Sequence, residues 1–145
     1  MTRNEAIITA VDWWVDKINR KEPHDNGDNS PASVFACLFA DMKQEILTEI
    51  NLRAFRSSLA ELLLWEVERY LEIDPTTVDI CLGCDYHPCA MLWDAAKEAG
   101  IPEANFPYKT AMIIESRDGG RYFTVHVSDG YGEPYVELYP VNEEK

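Results

Sequence analysis

The stretch Thr77 to Gly100, TVDICLGCDYHPCAMLWDAAKEAG, constrains this chain more than any other. It opens on alternation, with Val78, Ile80 and Leu82 on one side and Asp79 and Cys81 on the other. That pattern predicts a half-buried strand over about Thr77 to Leu82, ended by Gly83. A loop, Cys84 to His87, follows. Pro88 then stands where a first helical residue belongs, and Met91, Leu92, Ala95, Ala96 and Ala99 recur at helical spacing. The alanine-rich face predicts close approach to a sheet. The end of this helix is well marked: Gly100 suits a left-handed cap, Ile101 the accompanying hydrophobic contact, and Pro102 blocks continuation.

Upstream the apolar spacing is helical. Thr2 and Glu5 form a capping box, and the helix they open is expected to reach about Lys21. Ile7, Val11, Trp14, Val15 and Ile18 share its buried face, with the Trp13-Trp14 pair straddling the edge. Glu22 to Pro31 reads as a loop. Ser30 caps and Pro31 opens a second helix to about Glu49, with Phe35, Leu38, Phe39, Met42 and Ile46 as its expected buried stripe and Cys37 near its edge. After a break near Thr48 to Asn51, a third helix is expected from about Leu52 to Glu72, with Leu52, Phe55, Leu59, Leu62, Leu63, Val67 and Tyr70 at three- and four-residue spacing. Leu64 and Trp65 widen that face. Burial of a central helix is the expected account of them, and contact with a partner is the alternative.

Asp74-Pro75 stops the third helix. Beyond the Thr77–Gly100 stretch the period is two. Strands are expected at Thr110 to Glu115, Tyr122 to Val127 and Tyr135 to Tyr139, around turns at Asp118-Gly119-Gly120 and Asp129-Gly130-Tyr131-Gly132. Pro134 and Pro140 bracket the last strand, as suits a sheet edge. The expectation is one α+β domain over residues 1–145: an N-terminal three-helix segment, then strand-loop-helix and a three-stranded antiparallel meander forming one small sheet.

Charge narrows the partners. A net charge of −13, from 26 acidic and 13 basic residues, repels nucleic-acid phosphates and anionic membranes. It suits a basic protein partner, and it leaves an oligomer open. No apolar run approaches the ~18 residues of a membrane span. Nothing near Met1 reads as a signal peptide, so the four cysteines are expected in a reducing, cytoplasmic setting, as free thiols or metal ligands before disulfides.

Most of the chemistry-bearing side chains also lie in the opening stretch. Cys81, Cys84, His87 and Cys89 follow C-x2-C-x2-H-x-C, the donor types that zinc prefers. Four ligands in so short a segment must wrap one ion tightly, and His24, His126 or a second chain are the available substitutes. Cys89, read as the second residue of a helix, is alternatively a reactive thiol, because free amides and the helix dipole favour thiolate there. His87 or His126 would then serve as base, with no third group evident to orient it. In the plainest reading the cysteines only fill small spaces. Asp25, Asn26, Asp28 and Asn29 do not supply the ligand order of a calcium-binding EF-hand loop. The nucleotide-binding, zinc-protease and serine-hydrolase signatures are missing. No catalytic residue is assigned, and no cofactor is expected unless the cysteine segment holds zinc.

Several pieces together resemble an uncharacterised group of small acidic proteins carried by phages and mobile elements of gut Firmicutes. They are Asp25-Asn26-Gly27-Asp28 with Ser30, Asp85-Tyr86-His87-Pro88 with Leu92 and Ala95, Ala99-Gly100-Ile101, Phe106-Pro107-Tyr108-Lys109-Thr110 with Met112, and Gly130-Tyr131-Gly132. The resemblance brings no known activity. It implies that Asp25, Asp28, Tyr86, Lys109 and Tyr131 converge as a binding set, and that the cysteine cluster is peculiar to this chain. The resulting expectation is a non-enzymatic protein-binding domain that modulates a host protein, for instance an anti-CRISPR-like inhibitor mimicking nucleic-acid charge. A small zinc-binding protein using Cys81 to Cys89 and a cysteine-dependent enzyme are the alternatives.

Overall fold

The computed structural model describes residues 1–19, 30–32, 34–35, 45–130 and 132–140. The fold is α+β, with α1 (Arg3–Asn19), α2 (Glu49–Ile73) and α3 (Ala90–Ala99) beside a sheet of β1 (Asp79–Asp85), β2 (Lys109–Arg117), β3 (Tyr122–Ser128) and β4 (Val136–Leu138). The sheet has four strands, not the three of the expected meander. It is antiparallel throughout, in the order β1-β2-β3-β4. The added strand is β1, which pairs with β2 from Asp79 opposite Glu115 to Asp85 opposite Lys109. α1 packs on β2 and β3, α3 packs on β1, and α2 lies against both of those helices.

α1 starts as its capping box requires. The Thr2 amide donates to Glu5 Oε1 at 2.9 Å, and the Glu5 amide donates to Thr2 Oγ1 at 3.2 Å. The bond from the Thr2 amide is the main cause holding the Glu5 carboxyl below its ordinary value. Ile7, Val11, Trp14, Val15 and Ile18 are buried as their spacing predicts. Trp14 does not straddle an edge: it is fully buried, and only Trp13 sits at the rim.

The second expected helix is described only in part. Ser30 precedes helical residues 31–32 and 34–35, and its carbonyl accepts from the Val34 amide at 3.0 Å. It does not reach Glu49, because residues 45–48 are not helical. Phe35 and Ile46, expected on its buried stripe, are 71% and 83% exposed. Ile46 falls in the non-helical segment, where a 3.6-residue period no longer sets its direction. Cys37, Leu38, Phe39 and Met42 lie outside the described residues.

α2 begins at Glu49, earlier than expected, because Thr48 is a working cap. Its hydroxyl accepts from the Asn51 amide at 3.1 Å, and Asn51 Oδ1 accepts from the Thr48 amide at 3.1 Å. Asparagine takes the place that Glu or Gln fills in the usual box. Asn51 also donates from Nδ2 to the Ala99 carbonyl at 2.8 Å, so one side chain starts α2 and satisfies the end of α3. At the far end, hydroxyl and amide bonds from Thr76 hold the Asp74 carboxyl below its ordinary value. The buried stripe of α2 is narrow: Phe55, Leu59, Leu63 and Val67.

Gly83 does not end β1; it lies inside it. A Cβ at this position would stand 2.6 Å from the Thr110 carbonyl oxygen and 3.3 Å from Ala111 Cα. Both are backbone atoms of β2, so neither can swing aside. Gly83→Ala should therefore force β1 off β2 and cost about 2–3 kcal/mol, the upper range of overpacking effects. The check is urea unfolding. The midpoint should drop with an unchanged slope, and a wild-type midpoint would show that β1 is not held this closely.

The end of α3 is as its sequence predicts. Gly100 takes φ 71° and ψ 30°, and its amide donates to the carbonyls of Ala96 and Lys97. Ile101 is buried. A 3-10 turn, Glu103–Asn105, follows. Asn105 is 4% exposed. Its Nδ2 donates to the carbonyls of Ile18, at 3.2 Å, and Glu45, at 2.9 Å, while its Oδ1 accepts from the Glu45 amide at 3.0 Å. This one amide ties the end of α1, the segment before α2 and the link from α3 to β2.

Candidate functional site

The corner between β1 and α3 carries most of the side chains singled out by the sequence. The chain folds back on itself there. Cys84 bridges Pro88. The Asp85 amide donates to the His87 carbonyl at 3.1 Å, and the Cys89 amide donates to the Gly83 carbonyl at 2.9 Å. Tyr86 turns the corner at φ 66°, left-handed for a non-glycine residue, and its amide is held by the Tyr108 carbonyl at 2.7 Å. Pro88 is thus spent on the return and does not open the helix. Cys89 is the N-cap of α3, not its second residue, and its side chain makes no capping bond.

Strand β1 separates Cys81 from Cys84. Cys81 and Cys84 stand three positions apart in a strand, so alternation sends them to opposite faces. Cys81 is exposed and Cys84 is buried. His87 turns its Nδ1 to Glu103 in the 3-10 turn. Among the described residues, no three His, Cys, Asp or Glu side chains are placed to hold one metal ion. Burial pushes the Cys84 thiol well above its ordinary value, with Cys89 and Glu103 adding to the effect. Cys81 is raised too, first by desolvation and then by Asp79 and Glu115. Both therefore favour thiol over the thiolate that metal binding or nucleophilic attack needs. His126 is no neighbour of Cys89. It lies in the row Cys81, Ile113, His126, Glu137 across the sheet, on the face away from α3. Its Nε2 is 3.4 Å from Glu137 Oε1.

Of the five-residue binding set, Tyr86 and Lys109 do meet. Lys109 stands opposite Asp85 across β1 and β2 and forms an ion pair with it. Its Nζ lies 4.7 Å from the Tyr86 ring centroid, and that ring lies 5.3 Å from the Tyr108 ring. The lysine is held by a carboxylate and an aromatic face, which suits a fixed corner more than a mobile catalytic group. Asp25, Asp28 and Tyr131 lie outside the described residues. His24 and the whole Asp25 to Asn29 loop lie outside them as well.

The surface that burial expectations missed is the outward face of α2. Trp65 is 62% exposed and Leu64 is 37% exposed, so the widened face does not enter the core. The reason is geometric. Among the described elements α2 is covered mainly by α1 and α3, with a smaller contact to β1, and its buried residues form the single stripe from Phe55 to Val67. Leu64 joins Ile7, Ile8 and Ala60 in a groove of about 390 Å³ between α1 and α2. On the other flank, Ser58, Glu61, Leu62, Asp94, Lys97 and Glu98 line a groove of about 570 Å³ between α2 and α3. Two adjacent large apolar residues lying off the main stripe were the available sequence signal.

Among the described residues no helix is long and apolar enough to cross a membrane. The chain matches no protein-family model and no curated protein.

Proposed function

We propose that this chain is a non-enzymatic protein-binding domain that modulates a host protein, and that the outward face of α2 makes the contact. What supports the reading is a single observation: Trp65, Leu64 and Ile8 (62%, 37% and 58% exposed) lie on the outer side of the helical layer. A folded chain of this size gains by burying such side chains, and tryptophan is enriched at binding hot spots. Among the described residues no three His, Cys, Asp or Glu side chains are placed to hold one metal ion, and His126 lies on the sheet face away from Cys89's helix, so the cysteine segment gives an enzymatic reading no comparable support.

The test is site-specific photo-crosslinking in the native cells. Benzoylphenylalanine replaces Ser57, at the rim of the α1–α2 groove, or Arg121, in the β2–β3 turn, as control. A protein adduct of defined mass is expected from position 57 and not from position 121, and Trp65→Ser should abolish it. Equal labelling from both positions, or none from position 57, would retire the reading.

A further inference from the structure

The partner can be specified further, on the premise that the α2 face is the binding surface. We infer that it receives an amphipathic, basic helix of another protein, with apolar side chains in the α1–α2 groove and lysines or arginines against the carboxylates beside it.

The groove sets the apolar half. Ile7, Ile8, Ala60 and Leu64 line a trough of about 390 Å³ that runs between two helices. Its volume accommodates the ends of large aliphatic or aromatic side chains, and its flanking helices favour anchors repeating at three and four residues. Trp65, which follows the groove residue Leu64 in the chain, is exposed, with the Arg69 guanidinium over its ring at 5.6 Å.

Charge sets the other half. Three cations near this face are engaged within the molecule: Arg56 with Asp12, Arg69 with Glu66, and Lys97 with Asp94. Glu61, Glu68 and Glu98 have no ion-pair partner among the described residues. Glu61 borders both grooves, and Asp94 and Glu98 extend the negative edge onto α3. Arg53 is the exposed cation left on α2, two turns before Glu61. Glu61, on the border of the apolar trough, and Glu98, in the neighbouring groove, are therefore carboxylates with no ion-pair partner among the described residues. A second copy of a chain with net charge −13 would bring more of the same sign to this edge, whereas a basic helix complements it.

The probe is a fluorescein-labelled, 18-residue amphipathic peptide of leucine and lysine, followed by anisotropy. Its leucine–glutamate counterpart and an oligolysine of equal charge are the controls. The leucine–lysine peptide should bind and the glutamate peptide should not. Leu64→Ser with Trp65→Ser should weaken binding at least tenfold. Glu61→Gln with Glu98→Gln should weaken it several-fold and flatten its salt dependence. All four positions are on the surface, so melting curves should match wild type. Oligolysine binding as tightly as the amphipathic peptide, or full affinity in the Leu64/Trp65 variant, would overturn the inference. So would a concentration-dependent dimer by sedimentation that this variant loses. If the peptide fails while crosslinking at position 57 still captures a partner, the basic-helix assignment falls and the protein-binding reading stands. If both fail, both fall.

Discussion

Trp14→Ala should cost about 3–5 kcal/mol, the range for emptying a large aromatic site in a core. Trp14 is 0% exposed. It packs edge-on against Trp13 at 4.9 Å and lies 6.4 Å from Phe106, which itself meets Phe55 at 6.1 Å. These rings join α1, α2 and the lead into β2, so the cavity would open where three parts of the fold meet. Small domains are stable by about 5–15 kcal/mol, so the variant should be largely unfolded at moderate denaturant. Trp14→Phe should cost much less. The indole Nε1 is buried with no hydrogen-bond partner among the described residues, so losing it leaves no new orphan there and removes one already present. Far-UV circular dichroism in a urea series separates the two. Equal losses for Ala and Phe would show that volume is not what Trp14 contributes.

Asn105→Ala should cost about 3 kcal/mol, although it removes few atoms. The substitution strands the Ile18 carbonyl and both backbone groups of Glu45. A buried group left without its partner costs about 1–3 kcal/mol, and water reaches only part of this site. Asn105→Asp adds a test of sign. Its carboxylate would keep the bond from the Glu45 amide but face the carbonyls of Ile18 and Glu45. Burial and those carbonyls disfavour its charged form, so its folded pKa is raised above the unfolded value of about 3.9. The aspartate variant should then lie nearest wild type below that unfolded value and lose stability as pH rises through the folded pKa. Paired urea titrations at acidic and neutral pH read this directly, and a variant gap that does not widen with pH would contradict it.

What could be read from sequence follows from the range of each interaction. The start of α1 and the end of α3 were legible because Thr2 with Glu5, and Gly100 with Ile101, act within a few residues. The second helix was overextended for a related reason. Apolar spacing ran through residues 45–48, while the Thr48–Asn51 box used an asparagine that the usual pattern does not flag. Gly83 reads in the sequence as a strand end because glycine marks both a break and a close backbone approach. Only the position of Thr110 distinguishes them. The cysteine spacing was ambiguous until β1 was known to run through Asp85, after which alternation alone separates Cys81 from Cys84. Asn105 gave no local signal, since its partners lie 60 and 87 residues away in the chain.

Sequence alone carries the α+β class, the periods of the helices and strands, the start cap of α1 and the end cap of α3, and the strong negative charge. These depend on backbone geometry and on neighbours within a turn or a strand. Tertiary structure decided which apolar residues are covered. The α2 helix offers more apolar surface than its described neighbours cover, and which part remains outside depends on where α1, α3 and β1 meet it. Leu64 and Trp65 are exposed for that reason, although their hydrophobicity is that of core residues.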